Sequence, residues 1–210
     1  AHAEELARWT ADYPAVSFGA VLPRIVWDRE LPRLRQELAA ARRAGVTQAL
    51  VSHIGQLPLV RSLDLTPRAD FGLGLTNGLG AEELARLGFA SATASFELRL
   101  SQVRDLHKPL PTELLVYGRL PLMVTEHCLI RNKTGECTCN AAPTKLTDRT
   151  GADFPIIKDC GNCRSVLLNG KKLNWLDRQN DLGRLGLWAV RLYFTTENAR
   201  EVERANSCMP

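Results

Sequence analysis

Along residues 1–120, short apolar runs alternate with stretches of helical periodicity. The opening segment, AHAEELARW, reads as a charged helix. Ala15 to Ile25 is apolar and β-leaning, and an amphipathic helix follows from about Glu30 to Ala44, ending at Gly45. Thr47 to Ile54 predicts a buried strand. Phe71 to Thr76 predicts a third strand, followed by a helix over Gly80 to Leu87. Ala90 to Ser95 reads as a fourth strand with a helix over Glu97 to Leu106, and Leu114 to Arg119 as a fifth. Continuous apolar strands alternating with helices indicate a parallel sheet with both faces covered. Strand starts recur at roughly 20 to 30 residues, the size of a βα unit. A (β/α) barrel and an open doubly wound sheet both fit. No G-x-G-x-x-G follows a strand, so nothing in the sequence speaks for a dinucleotide fold.

After Leu122 the pattern changes. Residues 123–176 hold cysteines, turn signals and little helix. Asp148 to Gly151 reads as a turn, and Val166 to Leu173 as a hairpin around Asn169-Gly170. The βα rhythm resumes with a strand over Leu187 to Phe194, then a helix over Glu197 to Ala205 capped by Thr195 or Thr196. The expected organisation is a partial (β/α) barrel over 1–122, a cysteine-rich insertion with β-hairpins over 123–176, and the last barrel strand and helix over 177–210. About six strands are present, whereas a closed TIM-type barrel has eight. The remaining strands are therefore expected in an N-terminal half or in a partner chain. The chain opens in mid-helix without a Met, which fits a piece of a longer protein.

Composition narrows the function classes. With 210 residues, 45% of them hydrophobic, the chain is long enough to bury a core without disulfides. No apolar h-region opens it and no stretch is long enough to span a bilayer, so a cytoplasmic protein with no membrane partner is expected. The net charge of +4 permits an anionic partner such as RNA without requiring one. Six cysteines are unevenly placed. Cys128, Cys137, Cys139, Cys160 and Cys163 fall within 36 positions, and Cys208 stands near the end. Thiols so crowded suit a metal site: four thiolates can hold zinc or an iron–sulfur cluster. Cys128 follows the fifth strand, on the side where a barrel carries its active site. Other polar residues sit at strand ends: His53, Asn77, Ser95, Glu97 and Arg119. Each is explained singly by a turn or a helix start, and carries weight only as part of the set. His127 adjoins Cys128, but sequence neighbours rarely point at each other. No G-x-S-x-G, H-E-x-x-H or P-loop motif is present.

Several segments together resemble peptidase family U32. The most specific is Val116-Tyr117-Gly118-Arg119-Leu120-Pro121-Leu122-Met123, which runs on into Cys128. Leu22-Pro23-Arg24-Ile25, Ser95-Phe96-Glu97-Leu98, Leu146 to Pro155, and Cys163-Arg164 with Leu168-Asn169 match further family segments in order. The resemblance implies a barrel. It also implies one of two activities: collagenase-like proteolysis, as the family was named, or oxygen-independent hydroxylation of RNA bases or a quinone precursor with a [4Fe–4S] cluster. By match, Cys128, Cys137, Cys139 and Cys163 are the cluster ligands. Cys160 is an addition to the pattern and can stand in for Cys137 or Cys139. Arg119 and Arg24 can bind an anionic group, while Glu97 and His127 are candidates for proton handling. A zinc-stabilised binding domain is the third reading.

Overall fold

The computed structural model describes residues 2–126, 128–136, 144–159 and 161–208. In chain order its elements begin with α1 (His2–Asp12), β1 (Gly19–Val21), α2 (Leu31–Arg43), β2 (Gln48–Val51), α3 (Leu57–Arg61) and β3 (Thr66–Ala69). Next come α4 (Gly78–Arg86), β4 (Ala92–Thr93), α5 (Leu100–Asp105), β5 (Thr112–Gly118), β6 (Pro121–Thr125), α6 (Leu129–Thr134) and β7 (Thr144–Thr147). The chain finishes with β8 (Asp153–Asp159), β9 (Arg164–Leu168), β10 (Leu173–Asn174), α7 (Gln179–Leu182), β11 (Ala189–Tyr193) and α8 (Ala199–Ser207). They divide into two compact units, Ala1–Leu114 with Asp181–Val190, and Leu115–Asn180 with Arg191–Pro210. No described helix is long and apolar enough to cross a membrane.

In the first unit, β1 to β5 lie side by side in sequence order and pair in parallel. No strand order reverses, as it would in a doubly wound sheet. β11 pairs with β5, and the N–H of Trp188 donates to the Thr112 carbonyl at 2.8 Å. These six strands in a mixed α/β architecture fit an incomplete barrel.

Side chains alternate along a strand, so the register divides the sheet into two faces. Ala49, Val51, Ala69, Ala92, Ala94 and Leu114 share one face, and none is more than 2% exposed. The crossover helices cover that face with Leu34 and Leu38, Leu57 and Val60, Ala81 and Leu84, and Val103, all buried. Small residues on the strands let these helices approach closely. The other face carries Gln48, Arg68, Ser91, Thr93 and Glu113, joined by hydrogen bonds.

In the second unit, the end of β5 pairs antiparallel with β10, Tyr117 opposite Asn174. A separate antiparallel sheet runs in the order β6-β9-β8-β7. Its core holds Ile156 and Leu168, at 7% and 0% exposed. Lys172 anchors α8. Its Nζ lies 2.9 Å from Glu197 and 3.4 Å from Glu201, and it donates to the Tyr117 hydroxyl at 3.2 Å. Burial alone would raise the Glu197 pKa. The N–H groups of Thr195 and Thr196 and the Lys172 ammonium outweigh burial and hold it below the usual 4.5.

Three local expectations need correction. The third strand is Thr66–Ala69, not Phe71 to Thr76. Pro67 disguises it, yet its carbonyl still accepts from Ala90 N–H, so the ladder survives. The apolar run forms a 3-10 turn at Phe71–Leu73 closed by Gly74 at φ 63°. Second, β9 and β10 do not form a hairpin with each other; they leave the Asn169-Gly170 turn for different partners, β9 for β6 and β8, β10 for β5. The Arg119 guanidinium binds the Asn169 and Gly170 carbonyls and holds the chain at that fork. Third, α8 is capped by Asn198, whose side chain accepts from Glu201 N–H, while Thr195 and Thr196 give their N–H groups to the Glu197 carboxylate.

Two measurements test this account. Gly118 has φ 123°, and a Cβ there would overlap the Tyr193 carbonyl oxygen, whereas Gly74 at φ 63° has open space. In urea unfolding, Gly74→Ala should cost about 1 kcal/mol and Gly118→Ala at least about 3 kcal/mol. Because the folded pKa of Glu197 is depressed, its contribution is present at neutral pH and is lost as pH falls through the carboxylate range. Glu197→Gln should therefore be less stable than the parent protein at pH 7, with the gap narrowing below about pH 4.5.

Candidate functional site

Antiparallel pairing in the second unit decides where its thiols can be. Thr125 near the end of β6 stands opposite Ser165 near the start of β9. Asp159 at the end of β8 stands opposite Arg164, and Thr144 at the start of β7 opposite Ile156. The β6–α6 link, the β8–β9 turn and the entry to β7 therefore share one end of the sheet. The first link carries Cys128 and the turn carries Cys163. Cys137, Cys139, Cys160 and His127 lie outside the described residues. Their described neighbours, such as Gly161 and Thr144, belong to segments at this same end.

Cys128 is half-buried and caps α6, its Sγ accepting from Arg131 N–H at 3.4 Å. Cys163 is exposed and adopts φ 55°, a left-handed conformation uncommon outside glycine. The turn before it is tied by Asn162, whose Nδ2 donates to Asp159 at 2.9 Å. Backbone strain of this kind persists where the surroundings impose it, and it collects at functional sites. Immediately inside the thiols, Arg164 on β9 pairs with Glu126 after β6. The Arg164 side chain is only 4% exposed, while that of Glu126 is 41% exposed. This ion pair ties the two thiol-bearing segments together. The sequence reading missed it, and the only signal was that Glu126 and Arg164 each stand within two residues of a cysteine.

Two soft donors at one sheet end suit a thiolate-bound metal or cluster. Among the described residues, no group of three metal-ligating side chains converges. Cys208 is elsewhere, an exposed thiol at the C-cap of α8.

The other expected site residues are distributed as follows. Arg119, in the second unit, donates to the Asn169 and Gly170 carbonyls, and its Nε is buried without a hydrogen-bond partner. Glu97, in the first unit, is exposed just after β4, its N–H donating to Ser95 Oγ at 3.3 Å. His53 accepts from Gly55 N–H at 3.2 Å and Asn77 from Gly80 N–H at 2.9 Å, so both serve as local caps. The strand ends of the first unit hold a buried network that sequence reasoning did not identify. Ser52 Oγ reaches Asp70 at 2.9 Å and the Leu22 carbonyl at 3.2 Å, with Ser52 and Asp70 5% and 2% exposed. Gln56 receives the N–H groups of Ser52 and His53 and donates to the Pro23 carbonyl.

A model of the family described as peptidase family U32 matches residues 16–207. A solved structure of a U32 peptidase is similar at 19% identity with a TM-score of 0.42, covering 55% of this chain and 51% of that one. The chain thus spans about half the length of that relative. No curated protein matches.

If Arg164 organises the thiol end, replacing it should loosen that end before the rest of the sheet. Arg164→Met is expected to cost about 1–3 kcal/mol and to speed amide exchange at Thr125 and Ser165. Arg164→Lys should restore only part, because an ammonium lacks the planar fork.

Proposed function

Because the chain belongs to peptidase family U32, we propose that it is an iron–sulfur protein acting in the oxygen-independent hydroxylation of an RNA base or a similar planar substrate. The observation that carries this reading is the β6–β9 register, which brings Cys128 and Cys163 to one end of one sheet. Cys137 and Cys139 complete the ligand set, with Cys160 as the substitute for either. A [4Fe–4S] cluster on these thiolates would supply electron transfer.

The chain's own residues prepare that end in three ways. The Arg164–Glu126 pair fixes the spacing of the two segments. A guanidinium so buried also places positive charge beside thiols that must ionise, which favours the thiolate. The hydrogen bond from Arg131 N–H to Cys128 Sγ acts in the same direction. Clustered free thiols require a reducing compartment, which fits a cytoplasmic protein. Arg119 is a candidate for anion binding only through donors it does not spend on the Asn169 and Gly170 carbonyls. Glu97 and His127 remain the candidates for proton handling.

The family's name carries the alternative, proteolysis. His53 and His107 are the histidines with described side chains. His53 bonds a backbone N–H and His107 lies 3.7 Å from Glu82, so neither is paired with a serine or cysteine as a nucleophile's base would be.

Anaerobic purification of the full-length protein, with iron, sulfide and zinc counts, tests the proposal. Iron and sulfide should appear in roughly equal amounts with a broad absorption near ~400 nm. Cys128→Ser and Cys163→Ser should each lose most of the cluster. One zinc in a colourless protein would overturn the cluster in favour of a structural metal. Gelatin cleavage abolished by a single strand-end substitution would instead establish the peptidase reading.

A further inference from the structure

The face of the first unit's sheet that the crossover helices leave uncovered is polar, whereas the interior of a (β/α) barrel is filled mainly by branched apolar side chains. The register places Arg68 beside Ser91, and Thr93 beside Glu113, all on this face. Their orientations are fixed. Arg68 bonds Gln48 through Nε and Ser91 through NH1 at 2.8 Å. Thr93, 1% exposed, donates to the Glu113 carboxylate at 2.5 Å and is also 3.2 Å from the Ala69 carbonyl. Trp188 stands over this group, with the Arg68 guanidinium 4.7 Å from its ring centroid. The indole is nevertheless 54% exposed. Its backbone N–H bonds the Thr112 carbonyl, one residue from Glu113.

The set has the chemistry of a recognition site for flat, hydrogen-bond-donating rings. An exposed indole presents a π-face, and a guanidinium stacked behind it holds that ring in place. A carboxylate held in place by a buried threonine accepts hydrogen bonds from N–H groups, the way acidic side chains read the amino edge of a base. A purely structural face would bury a ring this large rather than leave half of it in water. We propose that Trp188 and Glu113 form a binding site for a heterocyclic base with an N–H edge, Trp188 stacking on the ring and Glu113 accepting from that edge. Arg68 and Thr93 are positioning residues. The inference rests on the hydroxylation reading for its biological sense, since it supplies the planar substrate which that reading requires.

The test uses the full-length protein and isothermal titration with cytidine, uridine and 3-methyluridine, the last lacking the ring N–H. Cytidine and uridine should bind, and 3-methyluridine at least tenfold more weakly than uridine. Trp188→Ala should weaken cytidine binding at least fivefold, from lost stacking. Glu113→Gln, which keeps one acceptor oxygen and the shape, should weaken it about tenfold. Circular dichroism and the iron count accompany each variant. No nucleoside binding at millimolar concentration overturns the site, as does unchanged binding in both variants with the fold intact. A variant that unfolds is replaced by Trp188→Phe, which keeps a stacking ring and should retain most of the binding. Base binding by a protein free of iron would sink the cluster proposal and leave this site standing. A cluster-bearing protein that binds no base would do the reverse.

Discussion

The pairing of β6 with β9 is the constraint on which the chemistry of this chain depends. Two segments 40 positions apart in sequence, around Thr125 and Ser165, become neighbours because the strands run antiparallel in a fixed register. A slip of one residue would turn every side chain of β9 to the opposite face and move Leu168, now fully buried, into water. The apolar core thus protects the register, and the register protects the thiol end. The Glu126–Arg164 pair adds a polar lock at the point where core packing ends. It follows Pro121 and the irregularity between Pro121 and Met123, where the ladder is weakest.

The first unit obeys the same alternation in a parallel sheet. One face is made of alanine and valine under helices, which leaves no room for functional side chains. All polar content is forced onto the other face, where each group must find a partner or meet water. The hydrogen bonds among Gln48, Arg68, Ser91, Thr93 and Glu113 meet that requirement, and they also fix the geometry of whatever the face presents. Rigidity here is a by-product of satisfying buried donors and acceptors.

Much of the fold was legible in sequence because apolar runs and helical periodicity report burial. α2, β2, α4, β5 and β11 fall where those signals stand. The failures have particular causes. β3 carries Pro67 and Arg68, so it looks like a loop; only its partners on both sides reveal a strand, and Arg68 is there for the polar face. Asn169-Gly170 is a real turn signal, but a turn specifies direction, not pairing, and the strands on either side of it go to different sheets. The family motifs pointed to cysteines and to Arg119, and spacing showed that the thiols were crowded. Neither could show that Arg119 would spend donors on backbone carbonyls, since a carbonyl acceptor has no sequence signature. The Trp188 and Glu113 arrangement was invisible for a similar reason. Its members stand 75 positions apart and meet only through the β5–β11 pairing.

The two kinds of sheet suit two kinds of task. Ligands to a metal or cluster come from turns and links, where a residue such as Cys163 can take a left-handed conformation that a strand forbids. Such segments tolerate the departures in spacing that an added Cys160 represents, because a loop can re-aim a thiol at small cost. A flat ligand makes the opposite demand. Stacking and an in-plane hydrogen bond require a ring and a carboxylate held at fixed relative positions, and loops hold these poorly. A parallel sheet pinned under helices holds them well, since shifting Glu113 alone would break its bond to Thr93, and shifting the strand would expose Leu114. On this argument the polar face of the first unit serves recognition and the thiol end of the second serves chemistry, each placed where its geometric tolerance is met.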